Sequence, residues 1–200
     1  MFISGIRLMP IKKMTNAKKL VSGGQTGVDR AALDVAIELG IPHGGWVPAG
    51  RLAEDGIVAE CYNVLETPSS DSAQRTEWNV RDSDATLIIS NGRLIGGSQF
   101  TLEMAKKYEK HYLHIDLSVV TETEATNQII DWLNSLDCKV LNVAGPRNSE
   151  DSEIYQNAKI ILSNSLVPML QHSSLYTGPA NPEKPSFRQG CRKEWVFRQN

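Results

Sequence analysis

Apolar positions along this chain follow two spacings. Short β-like runs at Leu20 to Ser22, Ala85 to Ser90, His111 to Leu117 and Lys139 to Val143 are separated by stretches in which apolar residues recur every three or four positions. Between Lys19 and Leu166 this alternation predicts an α/β fold, an open parallel sheet of about five strands with helices on both faces. The clearest helix runs from Gly27 to Leu39, where Val28, Ala31, Ala32, Val35, Ala36 and Leu39 form one stripe, with Gly40 as C-cap and Pro42 beyond. Trp46 to Pro48 is expected as a short second strand of the sheet, and Asp71 as the N-cap of a helix reaching about Arg81. Ser98 to Lys110 reads as a helix entered through Gly96 and Gly97. Thr121 and Glu124 carry a capping-box signature ahead of Ala125, Ile129, Leu133 and Leu136. Ser149, followed by Glu150, Asp151 and Glu153, is expected to start a last helix with Ile154, Ala158, Ile161, Leu162 and Leu166 on its apolar face.

The 200 residues, 40% apolar and 22% charged, suffice for one soluble domain with a real core and flanking tails. Residues 1–17 read as a disordered extension in which Met14 could be the biological start, 18–168 as the domain, and 169–200 as a tail. That tail is marked by prolines, basic residues and the aromatics Tyr176, Phe187, Trp195 and Phe197. A net charge of −2 supplies no global basic field, so nucleic acid is not an expected partner. Apolar runs fall far short of the ~20 residues a membrane span needs, and the N-terminus lacks a secretory signal, so the expected location is the cytoplasm. Cys61, Cys138 and Cys191, odd in number and widely spaced, suit reduced thiols, and no His, Cys or acid spacing marks a metal site.

In an open parallel sheet the ligand lies beyond the carboxyl ends of the strands, so the loops after them carry the interest. The first loop, Ser22, Gly23, Gly24, Gln25, Thr26, Gly27, Val28, Asp29, offers a tight turn and the N–H groups of a helix start, which suit a phosphate or another oxyanion. Val28 and Asp29 stand where a P-loop needs Lys and Ser/Thr, and Trp46-Val47-Pro48 stands where a dinucleotide fold needs an acid. The second loop, Asn91 to Ser98, includes Arg93, Gly96 and Gly97. The third, Ala144 to Ser149, includes Gly145, Pro146 and Arg147, whose guanidinium is a bidentate donor for anions. A helix segment from Gln74 to Asp84 is dense in polar groups.

The blocks Ser22 to Leu33, Gly40 to Trp46, Gly50 to Gly56, Gln74 to Asp84 and Leu141 to Arg147 resemble the molybdenum carrier family. That family is the circularly permuted YpsA branch of the SLOG superfamily, a Rossmann-like group that includes the Lonely Guy phosphoribohydrolases. The resemblance implies a Rossmann-like fold holding a small anionic ligand, either molybdate, a molybdenum cofactor or a nucleotide. It implies a ligand-binding set of Ser22, Gly23, Gly24, Gln25, Thr26, Gly27, Asp29, Arg30, Arg81, Asp82, Gly96, Gly97, Ser98, Gly145, Pro146 and Arg147. The permutation makes the Val140 to Arg147 unit equivalent to the opening unit of unpermuted relatives, and relatives that pair imply a homodimer. The alternative is a nucleotide N-glycosidic hydrolase. Arg75 and Glu103 stand at the Lonely Guy spacings, with Thr76 in place of its Lys and Gln99-Phe100 in place of its Gly-Thr. In that reading Glu103, expected in the first turn of its helix, assists water or developing ribosyl charge while Arg75 clamps the phosphate.

Overall fold

The structure, a computed structural model, describes residues 17–166. The tail beyond Pro168 and nearly all of the N-terminal extension lie outside the described residues, although Ala17 already packs into the core. In chain order the strands are β1 (Lys19–Val21), β2 (His43–Gly44), β3 (Trp46–Val47), β4 (Leu52–Ala53), β5 (Gly56–Ile57), β6 (Leu65–Glu66), β7 (Ala85–Ser90), β8 (His111–Asp116) and β9 (Val140–Ala144). The helices are α1 (Val28–Glu38), α2 (Ser72–Arg81), α3 (Gly96–Lys107), α4 (Glu122–Ser135) and α5 (Ile154–Leu166).

Five strands form one parallel sheet in the order β2-β1-β9-β7-β8. All six residues of β7 are buried, as a strand covered on both faces requires. The last strand in sequence is inserted between β1 and β7, with Leu141 opposite Leu20 on one side and Ala85 on the other. That order matches the 3-2-1-4-5 arrangement of a doubly wound sheet, with β9 in the place of the first strand.

The two faces differ chemically. Leu20, Leu87, Ile89, Ile115, Leu141 and Val143 pack against the apolar stripes of α1, α4 and α5 to form the main core. Each such side chain, fully buried, contributes about 1.5–3 kcal/mol. On the opposite face Thr86 and Asn142, 3.4 Å apart, lie on the side covered by α2 and α3, which bring buried Thr76, Asn79, Ser98 and Thr101. A second cluster, Leu33, Val47, Val58, Tyr62 and Val64, sits beneath the small β3–β6 and β4–β5 ladders.

Several sequence expectations hold in atomic detail. Asp71 caps α2 by accepting from Ala73 N at 2.9 Å, and Thr121 with Glu124 closes a complete capping box. Others are corrected. His43–Gly44, not Trp46 to Pro48, is the edge strand of the sheet. The backbone turns at Gly45 (φ 126°), which lies against the Ser22 main chain, and this lifts Trp46 off the sheet to pair with Leu65. The last helix begins at Ile154, because the Ser149 hydroxyl is turned to Glu54 while Asp151 accepts from Glu153 N at 3.0 Å. Cys138 is a free buried thiol, which burial pushes up to about 12. Among the described residues no helix is long and apolar enough to cross a membrane.

Candidate functional site

The order in which successive strands are laid down reverses between β9 and β7, since β1 leads outward to β2 on one side and β7 to β8 on the other. Such a switch point opens a crevice beyond the strand ends. Here its first lobe, about 220 Å³, is lined by Gly145 and Arg147 after β9, Gly96, Gly97 and Ser98 after β7, and Gln25 and Asp29 after β1. Ser72, Arg75 and Thr76 of α2 complete it. A second lobe of about 350 Å³ shares Gln25, Ser72, Arg75 and Arg147 and extends to Gly23, Pro48, Leu52 and Ala53.

The first loop is tightly built, and its helix start is not free. Ser22 donates to Val143 O at 2.6 Å and clips β1 to β9. Gly27 (φ 71°) leaves no room for a side chain beside the Pro146 carbonyl, which accepts from Val28 N at 3.2 Å. Gln25 Oε1 accepts from Thr26 N at 3.0 Å and from Glu54 N at 2.8 Å. The first N–H of α1, that of Val28, is therefore taken by an acceptor of the chain's own, as is the Thr26 N–H just before it. Gly24 (φ 69°) faces Val47 and Val58 in the second cluster rather than the crevice. Arg30 lies outside the crevice, donating to Gly24 O, pairing with Asp55 at 3.2 Å and lying over the Tyr62 ring.

The start of α3 is open. Its N-cap, Ile95, has no side-chain acceptor, and the N–H groups of Gly96, Gly97 and Ser98 meet no acceptor among the described residues. A side chain at Gly96 or Gly97 would meet only open space. Ser98 is 4% exposed and its hydroxyl has no hydrogen-bond partner among the described residues. A buried hydroxyl at the wall of a crevice calls for a partner, which a water or a ligand atom can supply.

Arg75 supplies the charge. Its Nη1 donates to Asp29 Oδ2 at 2.8 Å, and the guanidinium lies against Gly23. Asp29 is only 2% exposed. Burial pushes its carboxyl above the usual carboxylate range, against the charge of Arg75 and hydrogen bonds from Gln25, Arg75 and Ser22. Arg75, with its side chain 15% exposed, borders both lobes. Arg147 also borders both, balanced by Glu150 at 3.2 Å.

Other residues singled out in the sequence take different positions. Arg81 and Asp82 bond one another at 2.7 and 2.9 Å at the end of α2, where Arg81 lies over Trp78 and Asp82 accepts from Trp46 Nε1. They brace the two tryptophans and do not line the crevice. Glu103 lies beyond the first turn of α3, which starts at Gly96; it is exposed, accepts from Gln99 Nε2 at 3.0 Å, and lines neither lobe. Ser90 Oγ, 2.7 Å from His114 Nε2, also donates to Gly92 O, while Asp116 accepts from Gly92 N, so this trio fastens the second loop.

Glu54 was not anticipated. Its carboxylate accepts from the Thr26 hydroxyl, from Ser149 Oγ at 2.6 Å and from Ser149 N at 3.2 Å. Burial pushes this carboxyl up, but the Ser149 and Thr26 donors and the charge of Arg147 outweigh it and leave the group below the usual range. In sequence it stands within the Gly50 to Gly56 block, as half of an acidic pair, Glu54-Asp55.

The parallel five-stranded sheet and its switch-point crevice define a Rossmann-like α/β domain. The chain belongs to the circularly permuted YpsA SLOG family, whose sequence model matches residues 20–166. It is similar to a protein of Syntrophus aciditrophicus SB named Putative molybdenum carrier protein, solved by crystallography at 1.45 Å. The identity is 52% over 76% of this chain and 97% of that one, with a TM-score of 0.75. No curated protein matches the chain.

Proposed function

We propose that this chain binds a small anionic ligand, an oxyanion or the phosphate of a nucleotide-derived molecule, in the crevice between β9 and β7. One observation carries the reading. The unmatched hydroxyl of Ser98 and the open N–H groups of Gly96 and Gly97 lie on the same crevice wall system as Arg75, a guanidinium already held in place by Asp29. Backbone donors, a hydroxyl and a guanidinium together recognise a tetrahedral oxyanion through its charge and shape.

Such donors do not distinguish one element from another. The name of the Syntrophus protein points to a molybdenum species, and molybdate, a molybdenum cofactor bearing its own phosphate and a nucleotide all present the anion this wall takes. The hydrolase alternative draws no support from Glu103, which lies outside the crevice. A cytoplasmic homodimer remains the expected setting.

Titration calorimetry with orthophosphate, molybdate and AMP, on the full chain and on Arg75→Ala, tests the reading. A charge-assisted hydrogen bond is worth about 1.5–3 kcal/mol, so Arg75→Ala should weaken binding of the anion about ten- to a hundredfold. Equal affinity in the two proteins would overturn it.

A further inference from the structure

The β4–β5 hairpin forms one wall of the second lobe through Leu52 and Ala53. Its base is locked. Arg51, held at φ 54°, donates through its guanidinium to the carbonyls of Val58 (2.9 Å), Ala59 (2.9 Å), Tyr62 (3.1 Å) and Val64 (3.3 Å). The tip is held differently. Leu52 and Ile57, paired across the hairpin, are 51% and 69% exposed, and Gly56 (φ 113°) touches nothing on its open side. Polar contacts fasten the tip, with Asp55 on Arg30 and Glu54 on Thr26 and Ser149.

The groups around the Glu54 carboxylate are two hydroxyls, one backbone N–H and, at 3.9 Å, the Arg147 guanidinium. This is the donor set of an oxyanion site, filled by a carboxylate of the chain itself. Glu54, Thr26 and Ser149 line neither lobe themselves; their cradle meets the crevice through Arg147, which borders both lobes, and through Gln25, which also borders both and accepts from Glu54 N at 2.8 Å.

We propose that Glu54 is an internal competitor for the ligand's anionic group: it occupies the Thr26–Arg147–Ser149 cradle until an oxyanion entering from the crevice at Arg147 displaces it and loosens the hairpin tip. The inference rests on reading the crevice as an anion site. Displacing Glu54 removes one of the two side-chain fastenings of the tip, the other being the Asp55–Arg30 pair, and so loosens the wall of that lobe. It also lowers apparent affinity, since only the fraction of molecules with the cradle vacated is competent to bind.

The test pairs calorimetry of orthophosphate with hydrogen exchange over residues 52–57, on the full chain and on Glu54→Gln and Glu54→Ala. Both variants should bind orthophosphate about tenfold more tightly, as removal of a competing closed state requires. Saturating orthophosphate should speed exchange of the hairpin tip about tenfold in the unsubstituted chain and leave the already fast variants unchanged. Equal affinities in all three proteins, or a tip as protected at saturation as before it, would overturn the competition while leaving the crevice reading intact. Absence of orthophosphate binding in every protein would overturn both. Glu54→Gln keeps the volume of the side chain, so a folding defect confined to Glu54→Ala leaves the comparison decisive.

Discussion

The guanidinium of Arg75 lies where a side chain at Gly23 would begin, and its Nη1 reaches Asp29 from there at 2.8 Å. Gly23 is thus the floor on which the crevice cation rests. A methyl group at this position must push the guanidinium away. Gly23→Ala should retain the far-ultraviolet circular dichroism of the parent while weakening binding of orthophosphate about tenfold, the loss of roughly one charged hydrogen bond. Calorimetry on the folded variant checks it, and an unchanged affinity would mean that Arg75 does not need this seat.

Asp29 and Arg75 form an ion pair with one partner fully buried. Removing the acid leaves a cation with little solvent to replace it, so Asp29→Ala should lose about 3–5 kcal/mol in urea unfolding. The pH dependence has a definite sign. Because the folded carboxyl titrates above its ordinary 3.8, its contribution is fully present below pH 3.8 and is lost as pH rises through the folded value. Relative to Asp29→Asn, the parent should therefore lose stability on raising the pH from below 3.8, and parallel stability curves would refute the assignment.

Among the described residues Glu103 bonds Gln99, on the exposed side of α3 and one helical turn away. Glu103→Gln should leave the affinities for orthophosphate, molybdate and AMP within about twofold, since surface substitutions away from a site change free energy by about 0.5 kcal/mol or less. Incubation of the parent with AMP, followed by chromatography, should release no free base. Base release that disappears in Glu103→Gln would restore the hydrolase reading.

Much of the fold was legible because it depends on near neighbours. The stripe from Val28 to Leu39, the Asp71 cap and the Thr121–Glu124 box are interactions within one or two turns, and each appears as the residue pattern implies. Misread elements were those whose partners are distant. Trp46–Val47 has the composition of a sheet strand, but Gly45 packed on Ser22 sends it to Leu65–Glu66 instead. Ser149 is an ordinary N-cap candidate by its surroundings in sequence, yet its hydroxyl is taken by Glu54 from the hairpin.

The three glycine loops were legible in the same way, as turns that need positive φ or close backbone approach. Their relative order as ligand sites was not. By itself, the sequence determined the helices and four of the five strands of the main sheet, and that glycine-rich turns would follow those strands, because these depend on contacts along the chain. Only the tertiary structure decided which helix start stays open. Inserting β9 between β1 and β7 brings Pro146 O onto the first N–H of α1, that of Val28, while among the described residues no acceptor reaches the N–H groups of Gly96 to Ser98. It also carried Glu54 into a cradle of donors drawn from two distant loops. A backbone N–H is the same group in every turn; whether it is free for a ligand depends on which acceptor the folded chain places beside it.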